Sequence, residues 1–456
     1  MPSLLDLSAE LKLTVVEQLE LEEQLESEKN LEREEEDEEG EEEEKAKSVR
    51  DWPIMSLSST CKVFRTLCAP FVFKSLVLVN NEKNGASIQS IADSANADFV
   101  RNFRFTSRFK SLLAPDGVEA PSDKDFPAST QKVLENLKAF PKLERLAIKL
   151  PGDRDYFEMY PDDQIEEWEE VVDAEERQAW RALTKNVYAA IAQNHDHESL
   201  KHLELVEVVG KDVSSWHDES FRKFLGNLDS LKISLMGGEN GAGWCMNTNG
   251  WYGAFVENMS EFFFKHLTNV TQLSLCASTD GPIGLEGTRH APVLFPALSM
   301  PKLRSLHLKH NFISSQLIEF INGHADVLER VHLDECYSAL HCYLAENAIP
   351  WSNFFSRIVD AEPSALLSFE VTPVHATIDG REYGDMTDEV FARMEKELAA
   401  NPERHLFAYS HLDGKYGMLF EDYEGRVEAF DAGVDQAAFD RLMAVVVRNI
   451  KRNEKN

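Results

Sequence analysis

Nothing in the 456-residue sequence approaches the roughly 20 uninterrupted apolar residues that a membrane span needs, and Met1 to Glu10 lacks the basic-then-apolar order of a secretory signal. An intracellular protein, cytoplasmic or nuclear, is expected. Cysteine is scarce: Cys61, Cys68, Cys245, Cys276, Cys336 and Cys342, with no CxxC pair, predict reduced thiols rather than a disulfide framework. Positive charge is in short supply too. Lys and Arg number 47 against 80 Asp and Glu, and the formal charge of -33 repels phosphate backbones and anionic headgroups, so neither nucleic acid nor membrane is an expected partner.

Signatures of catalysis are equally sparse. The run G-G-E-N-G-A-G from Gly237 to Gly243 lacks the G-K-[ST] ending of a phosphate-binding loop, and no G-x-S-x-G elbow or H-E-x-x-H helix occurs. His332, Cys336, His341 and Cys342 have zinc-like chemistry at short spacing, but Cys336 has a better use in a repeat turn. His195 and His197 read as a turn before a strand. The chain is expected to be non-catalytic, with no cofactor and no metal.

What the sequence does contain is 43% hydrophobic residues, enough for a large core, and one extreme acidic segment. Glu17 to Glu44 holds 17 acidic residues against Lys29 and Arg33, a net charge of -15. Such a run cannot bury enough apolar surface to offset its ordering entropy, and it reads as a solvated insertion over about residues 20–47. Helical signals flank it. Leu7, Leu11, Val15 and Leu19 recur every four residues behind Ser8 as N-cap. After Asp51 and Pro53, the positions Ile54, Leu57, Cys61, Phe64 and Cys68 continue at spacings of three and four until Pro70, with a break near Thr60.

These two pieces, L-S-A-E-L-x-x-x-V-x-x-x-L from Leu7 and D-W-P-I-M-S-L-S-S-T-C-K-V-F-R-T-L-C-A-P-F-V-F-K-S-L from Asp51, resemble an F-box of the fungal type. Ser8 stands where that family usually has proline, and the acidic run interrupts a connection that is normally short. The resemblance implies docking onto a Skp-type adaptor, and through it a cullin-based ubiquitin ligase, with the rest of the chain presenting a protein substrate. Leu7, Leu11, Val15, Leu19, Ile54, Leu57, Phe64, Leu67 and Pro70 are the expected adaptor contacts, an apolar set too large for so short a unit to hide.

Beyond this module, an apolar-x-x-apolar-x-apolar triplet begins at Phe73, Val100, Leu143, Leu200, Leu228, Val270, Leu303, Leu328 and Leu366. Its intervening positions are mostly polar, which is strand logic. Leu303, Leu306, Leu308, Asn311 and Ile313 fill a whole leucine-rich-repeat pattern, in which the Asn, or Cys336 in the next copy, satisfies backbone groups at the turn. Helical stretches such as Glu175 to Ala192 and Gln316 to Ala325 lie between triplets.

The expected fold is therefore α/β: an F-box module over 1–79, an irregular leucine-rich-repeat solenoid over 80–380, and a small α+β cap over 381–456. In the cap, Asp388 to Ala400 and Asp435 to Lys451 read as helices, and Leu406 to Asp422 as a hairpin turning at Asp413-Gly414. Gly237 to Gly253 reads as a long loop whose Trp244, Trp251 and Tyr252 either anchor a substrate or fold back into the solenoid. The rival functional reading is a repeat scaffold with no ligase role, its N-terminal helices merely capping the repeats.

Overall fold

Each triplet enters a strand two residues after its first apolar side chain: β1 (Ser75–Val79), β2 (Asn102–Thr106), β3 (Arg145–Lys149), β4 (His202–Val208), β5 (Ser230–Leu235), β6 (Gln272–Cys276), β7 (Ser305–Lys309), β8 (Arg330–Asp334) and β9 (Ser368–Thr372). They form one nine-stranded sheet in chain order, parallel at every pairing. The computed structural model describes residues 8, 11–16, 53–107, 125–150, 165–239, 243–296, 299–339, 345–346, 348–372 and 388–455. No helix among these residues is long and apolar enough to cross a membrane.

Register repeats from strand to strand. Leu76 aligns with Phe103, Leu146, Leu203 and Leu231, and each is buried, so the inward residues of the triplets form continuous rows in the core, with Val371 of the last strand half-buried. The alternate positions stay exposed or half-buried, which leaves a polar face opposite the helices. Left-handed positions repeat as well. Glu207, at the irregular end of β4, and His310 and Glu335, directly after β7 and β8, stand at the same offset from their strand starts, with φ of 53°, 53° and 47°. That conformation costs an L-residue about 1–2 kcal/mol, which the surrounding turns must offset. Asn311 donates through Nδ2 to the Lys309 carbonyl at 2.7 Å, and the Cys336 thiol donates to the Leu308 carbonyl at 3.4 Å, as expected for the turn positions.

The crossovers carry α3 (Glu82–Ala92), α4 (Ala128–Glu135), α5 (Trp168–Arg177), α6 (Ala179–Ala192), α7 (Glu219–Gly226), α8 (Gly250–Phe262), α9 (Ser315–Gly323) and α10 (Trp351–Asp360). The helix expected over Glu175 to Ala192 divides at Gln178, whose backbone is extended (φ -112°, ψ 120°).

The C-terminal segment comprises α11 (Asp388–Ala400), the antiparallel hairpin of β10 (Ser410–Leu412) and β11 (Leu419–Glu421), α12 (Tyr423–Ala432) and α13 (Val434–Asn453). It shares the main core rather than forming its own: Phe439 packs on Phe355 at 5.2 Å, and Asn449 donates to the carbonyls of Pro363 and Leu366. The hairpin turn closes with the Asp413 N–H donating to the Met418 carbonyl at 2.9 Å, and its left-handed residue is Gly417 (φ 70°).

One stretch departs from expectation. The segment expected as a loop to Gly253 is already helical from Gly250, where α8 begins with Trp251 and Tyr252 in its first turn, both buried. Trp251, Phe255 and Met259 are spaced by four, as are Tyr252, Val256 and Ser260, so two adjacent rows of one helix enter the core together.

Candidate functional site

The N-terminal module is built from a helical turn at residues 11–16, α1 (Pro53–Thr60) and α2 (Lys62–Val72). Ser8 caps the first turn, its Oγ accepting from the Leu11 N–H at 3.3 Å. Cys61, extended at φ -158°, breaks α1 from α2. At the start of α2, the backbone N–H of Phe64 holds the Cys61 thiol pKa below its ordinary value. Val16, Ile54, Phe64 and Cys68 close into a small core separate from the main one, flanked by Leu57, Leu67 and Phe71.

This packing redistributes the expected adaptor contacts. Ile54 and Phe64 face inward, a correction to their reading as surface contacts: three short helices meeting at one point must bury something, and the Phe64–Cys68 stripe is what they bury. Leu57, Leu67 and Val15 are half-buried, Leu11 and Pro70 are exposed, and Leu7 and Leu19 lie outside the described residues. Leu13, Met55 and Val63 remain 37%, 44% and 50% exposed. Sequence reasoning missed these three because they fall off the apolar stripe used to find the helices.

The polar face of the sheet divides into two halves. Across β6 to β9, Ser274 Oγ lies 2.8 Å from His307 Nδ1, the His307 and His332 rings stack at 4.8 Å, and His332 Nε2 meets Thr372 Oγ1 at 2.6 Å. Asp334, 3.7 Å from His307 Nε2, has its pKa held below the usual carboxylate range by that histidine. On β2 to β5, Lys149 pairs with Glu207 and Lys232 with Glu204, each at 2.9 Å, while Arg104 and Arg145 are exposed with no ion-pair partner among the described residues.

A groove of about 310 Å³ opens between Ile165, the turn after β4, α7 and the length of α8. Trp251, Phe255 and Phe262 form its apolar wall, with Arg222 and Asn258 at the mouth. Beneath lies an ion triad: Glu166 accepts from Arg181 Nη2 at 2.9 Å and Lys211 Nζ at 2.7 Å. Asp212 pairs with His217 at 2.8 Å, and Trp168, half exposed at the rim, meets the His217 ring edge-on at 4.9 Å.

The three aromatic anchors expected from the sequence thus do different things. Tyr252 is wholly interior, donating its hydroxyl to the Gly281 carbonyl at 2.5 Å, which corrects its reading as a partner contact. Trp251 is buried, yet it lines the groove and carries Lys211 Nζ at 5.2 Å from its ring centroid. Trp244 is half-buried outside the groove, against Tyr416 of the C-terminal hairpin at 5.4 Å and Arg289 at 5.8 Å. The main-chain contact is close there, with the Cys245 N–H donating to the Tyr416 carbonyl at 2.9 Å.

The histidine and cysteine candidates separate. His197 accepts from the Leu200 N–H on Nδ1 at 3.1 Å and faces the Phe140 carbonyl through Nε2 at 3.2 Å, a fully used buried imidazole whose pKa burial lowers. His341 and Cys342 lie outside the described residues. Among the described residues no three His, Cys, Asp or Glu side chains converge as a metal set. No family model matches the chain, and neither the curated proteins nor the solved structures contain a significant match to it.

Proposed function

We propose that this protein is an F-box adaptor, the substrate-recognition subunit of a Skp/cullin/F-box ubiquitin ligase, and that it performs no catalysis itself. In this reading the helices of residues 1–79 dock onto the Skp-type adaptor, the repeats, whose first strand is β1 and which run to about 380, form an irregular leucine-rich-repeat solenoid that holds a protein substrate, and 381–456 cap the solenoid. One observation carries it: the N-terminal module keeps a core of its own while Leu13, Met55 and Val63 remain uncovered, the pattern of a helical unit completed by a partner. The nine in-register strands and the left-handed residue recurring at one offset from three strand starts support the repeat assignment. The scaffold reading draws on a different contact, Phe73 at the end of the module packing against the main core, as a capping element would.

The test is the double variant Leu13→Asp with Val63→Asp in the full chain. Both side chains are exposed, so fold stability should change by only about 0.5 kcal/mol per site. At an interface, loss of each anchor and burial of an unpaired carboxylate together cost several kcal/mol, weakening adaptor binding by about 100-fold or more. Undiminished co-purification of a Skp-type adaptor with the folded double variant would remove the docking assignment.

A further inference from the structure

We propose that the β1–β3 end of the polar sheet face is a docking surface for an acidic peptide, one that carries carboxylates at alternate positions beside an apolar residue. The inference rests on the reading that the repeat region holds a protein partner, and it names the chemistry of that partner.

Charge makes the first argument. The chain carries -33 overall, yet on β2 to β5 the four cations Arg104, Arg145, Lys149 and Lys232 meet only two carboxylates, Glu204 and Glu207. The two pairs neutralise Lys149 and Lys232 and leave both guanidiniums unpaired among the described residues. In a chain this acidic, two exposed arginines with no carboxylate partner among the described residues present a local positive field. Arginine's fork also suits bidentate carboxylate binding.

Register makes the second. Arg104 stands beside Val77 and Ala147, and Arg145 beside Asn102, so the two arginines occupy diagonal positions on adjacent strands. With strands about 4.8 Å apart and a two-residue rise of about 6.6 Å, such diagonal neighbours lie about 8 Å apart, within reach of two flexible arginine side chains. Carboxylates two residues apart on an extended peptide are separated by about 6.5–7 Å, so an acidic-x-acidic segment matches the pair without distortion.

The third argument is apolar. On the same face, Val77 and Val79 of the edge strand are 50% and 38% exposed, Val77 directly alongside Arg104 and Val79 alongside Thr106. Valines paired this way with a free arginine suit a segment whose acidic residues are followed by an aliphatic one. A nucleic acid backbone would use the arginines and leave the valines wet.

The experiment uses the full chain and a fluorescein-labelled Glu-Leu-Glu-Val-Glu peptide, with its glutamine analogue and a single-stranded DNA oligonucleotide of equal charge as comparison probes, read by fluorescence anisotropy. Binding of the acidic peptide should weaken steeply between about 0.1 and 1 M salt, as the Debye length falls from about 10 to about 3 Å. Its affinity should exceed that of the glutamine analogue by about tenfold or more, and Arg104→Glu with Arg145→Glu should erase that difference. Arg104→Gln with Arg145→Gln, which introduces no repulsion, should weaken binding by a smaller factor, and Val77→Ser should do so without changing the salt slope. Equal binding of the glutamine analogue, unchanged binding by the folded charge variants, or DNA binding as tight as the peptide's would each overturn the proposal. Adaptor capture, measured on the same charge variants, should be unaffected; its absence in the unaltered protein would overturn the docking reading and leave this one to the peptide data.

Discussion

Removing the Glu166 carboxylate should be among the most damaging single changes outside the hydrophobic core. Arg181 is 1% exposed and its guanidinium has two acceptors among the described residues, Glu166 and the Asp212 carbonyl at 2.9 Å. Lys211 is nearly as buried and donates to the other oxygen of Glu166. Glu166→Ala therefore strands two buried cations, and breaking a buried pair from one side costs about 3–5 kcal/mol. Glu166→Gln keeps the shape and one acceptor oxygen, while its amide NH2 group replaces the other and loses one charged hydrogen bond, so its cost should be about 1.5–3 kcal/mol. Replacing all three together, Glu166→Leu, Arg181→Met and Lys211→Met, should be close to neutral. Acidity gives an independent check. Burial alone would raise the Glu166 pKa, but Arg181 and Lys211 overcome it and the net shift is downward. A carboxylate with a depressed folded pKa stabilises fully above its unfolded value of about 4.3 and loses that contribution as pH falls through the folded value. Urea denaturation from pH 7 down to pH 3 should thus show the gap between native protein and Glu166→Ala narrowing below about pH 4.3. A cost under about 1 kcal/mol at pH 7, or a gap independent of pH, would refute the triad as a stabilising unit.

Two further outcomes separate structure from recognition. Trp251→Ala should cost about 3–5 kcal/mol of stability because that indole is buried in the main core, whereas Trp244→Ala should cost less and loosen the hairpin at Tyr416, which differential scanning calorimetry and amide exchange of residues 413–418 would resolve. Replacing residues 22–47 with a short Gly/Ser linker should leave adaptor binding within about tenfold, roughly 1.4 kcal/mol, because a run of net charge -15 reads as a solvated spacer; a much larger loss in a pull-down titration would give it a binding role.

The sheet was legible because a strand with one buried face writes its own period. Every triplet places two inward side chains two apart, and neighbouring strands bury the same positions, so nine independent short signals agree on one register. Asp388 to Ala400 was equally clear, while the break at Gln178 was not: Gln is an ordinary helix former, and only the turn from α5 to α6 requires its extended backbone. The glycines and asparagines around Trp244 concealed the start of α8 for a related reason. Local composition predicts a loop, but Asn249 can precede a helix and Trp251 and Tyr252 gain more by entering the core than Gly250 and Gly253 lose in chain entropy.

Sites were harder to read than elements because they depend on what remains uncovered after packing, and periodicity reports only what is covered. The apolar stripe that located the N-terminal helices led to Ile54 and Phe64, and the same stripe placed them in the module's interior. Of the apolar side chains that packing leaves exposed, Leu11 lies on the stripe, whereas Leu13, Met55 and Val63 lie off it and add nothing to its period. The free arginines follow the same logic. Arg104 and Arg145 are two of 47 basic residues in the sequence, and they become distinct only when register sets them diagonally on adjacent strands and the neighbouring Lys149 and Lys232 are found already neutralised. The pair is therefore encoded jointly, by residues some 40 positions apart whose juxtaposition depends on strand alignment, and a one-residue slip of β3 against β2 would turn one guanidinium toward the core and dissolve it.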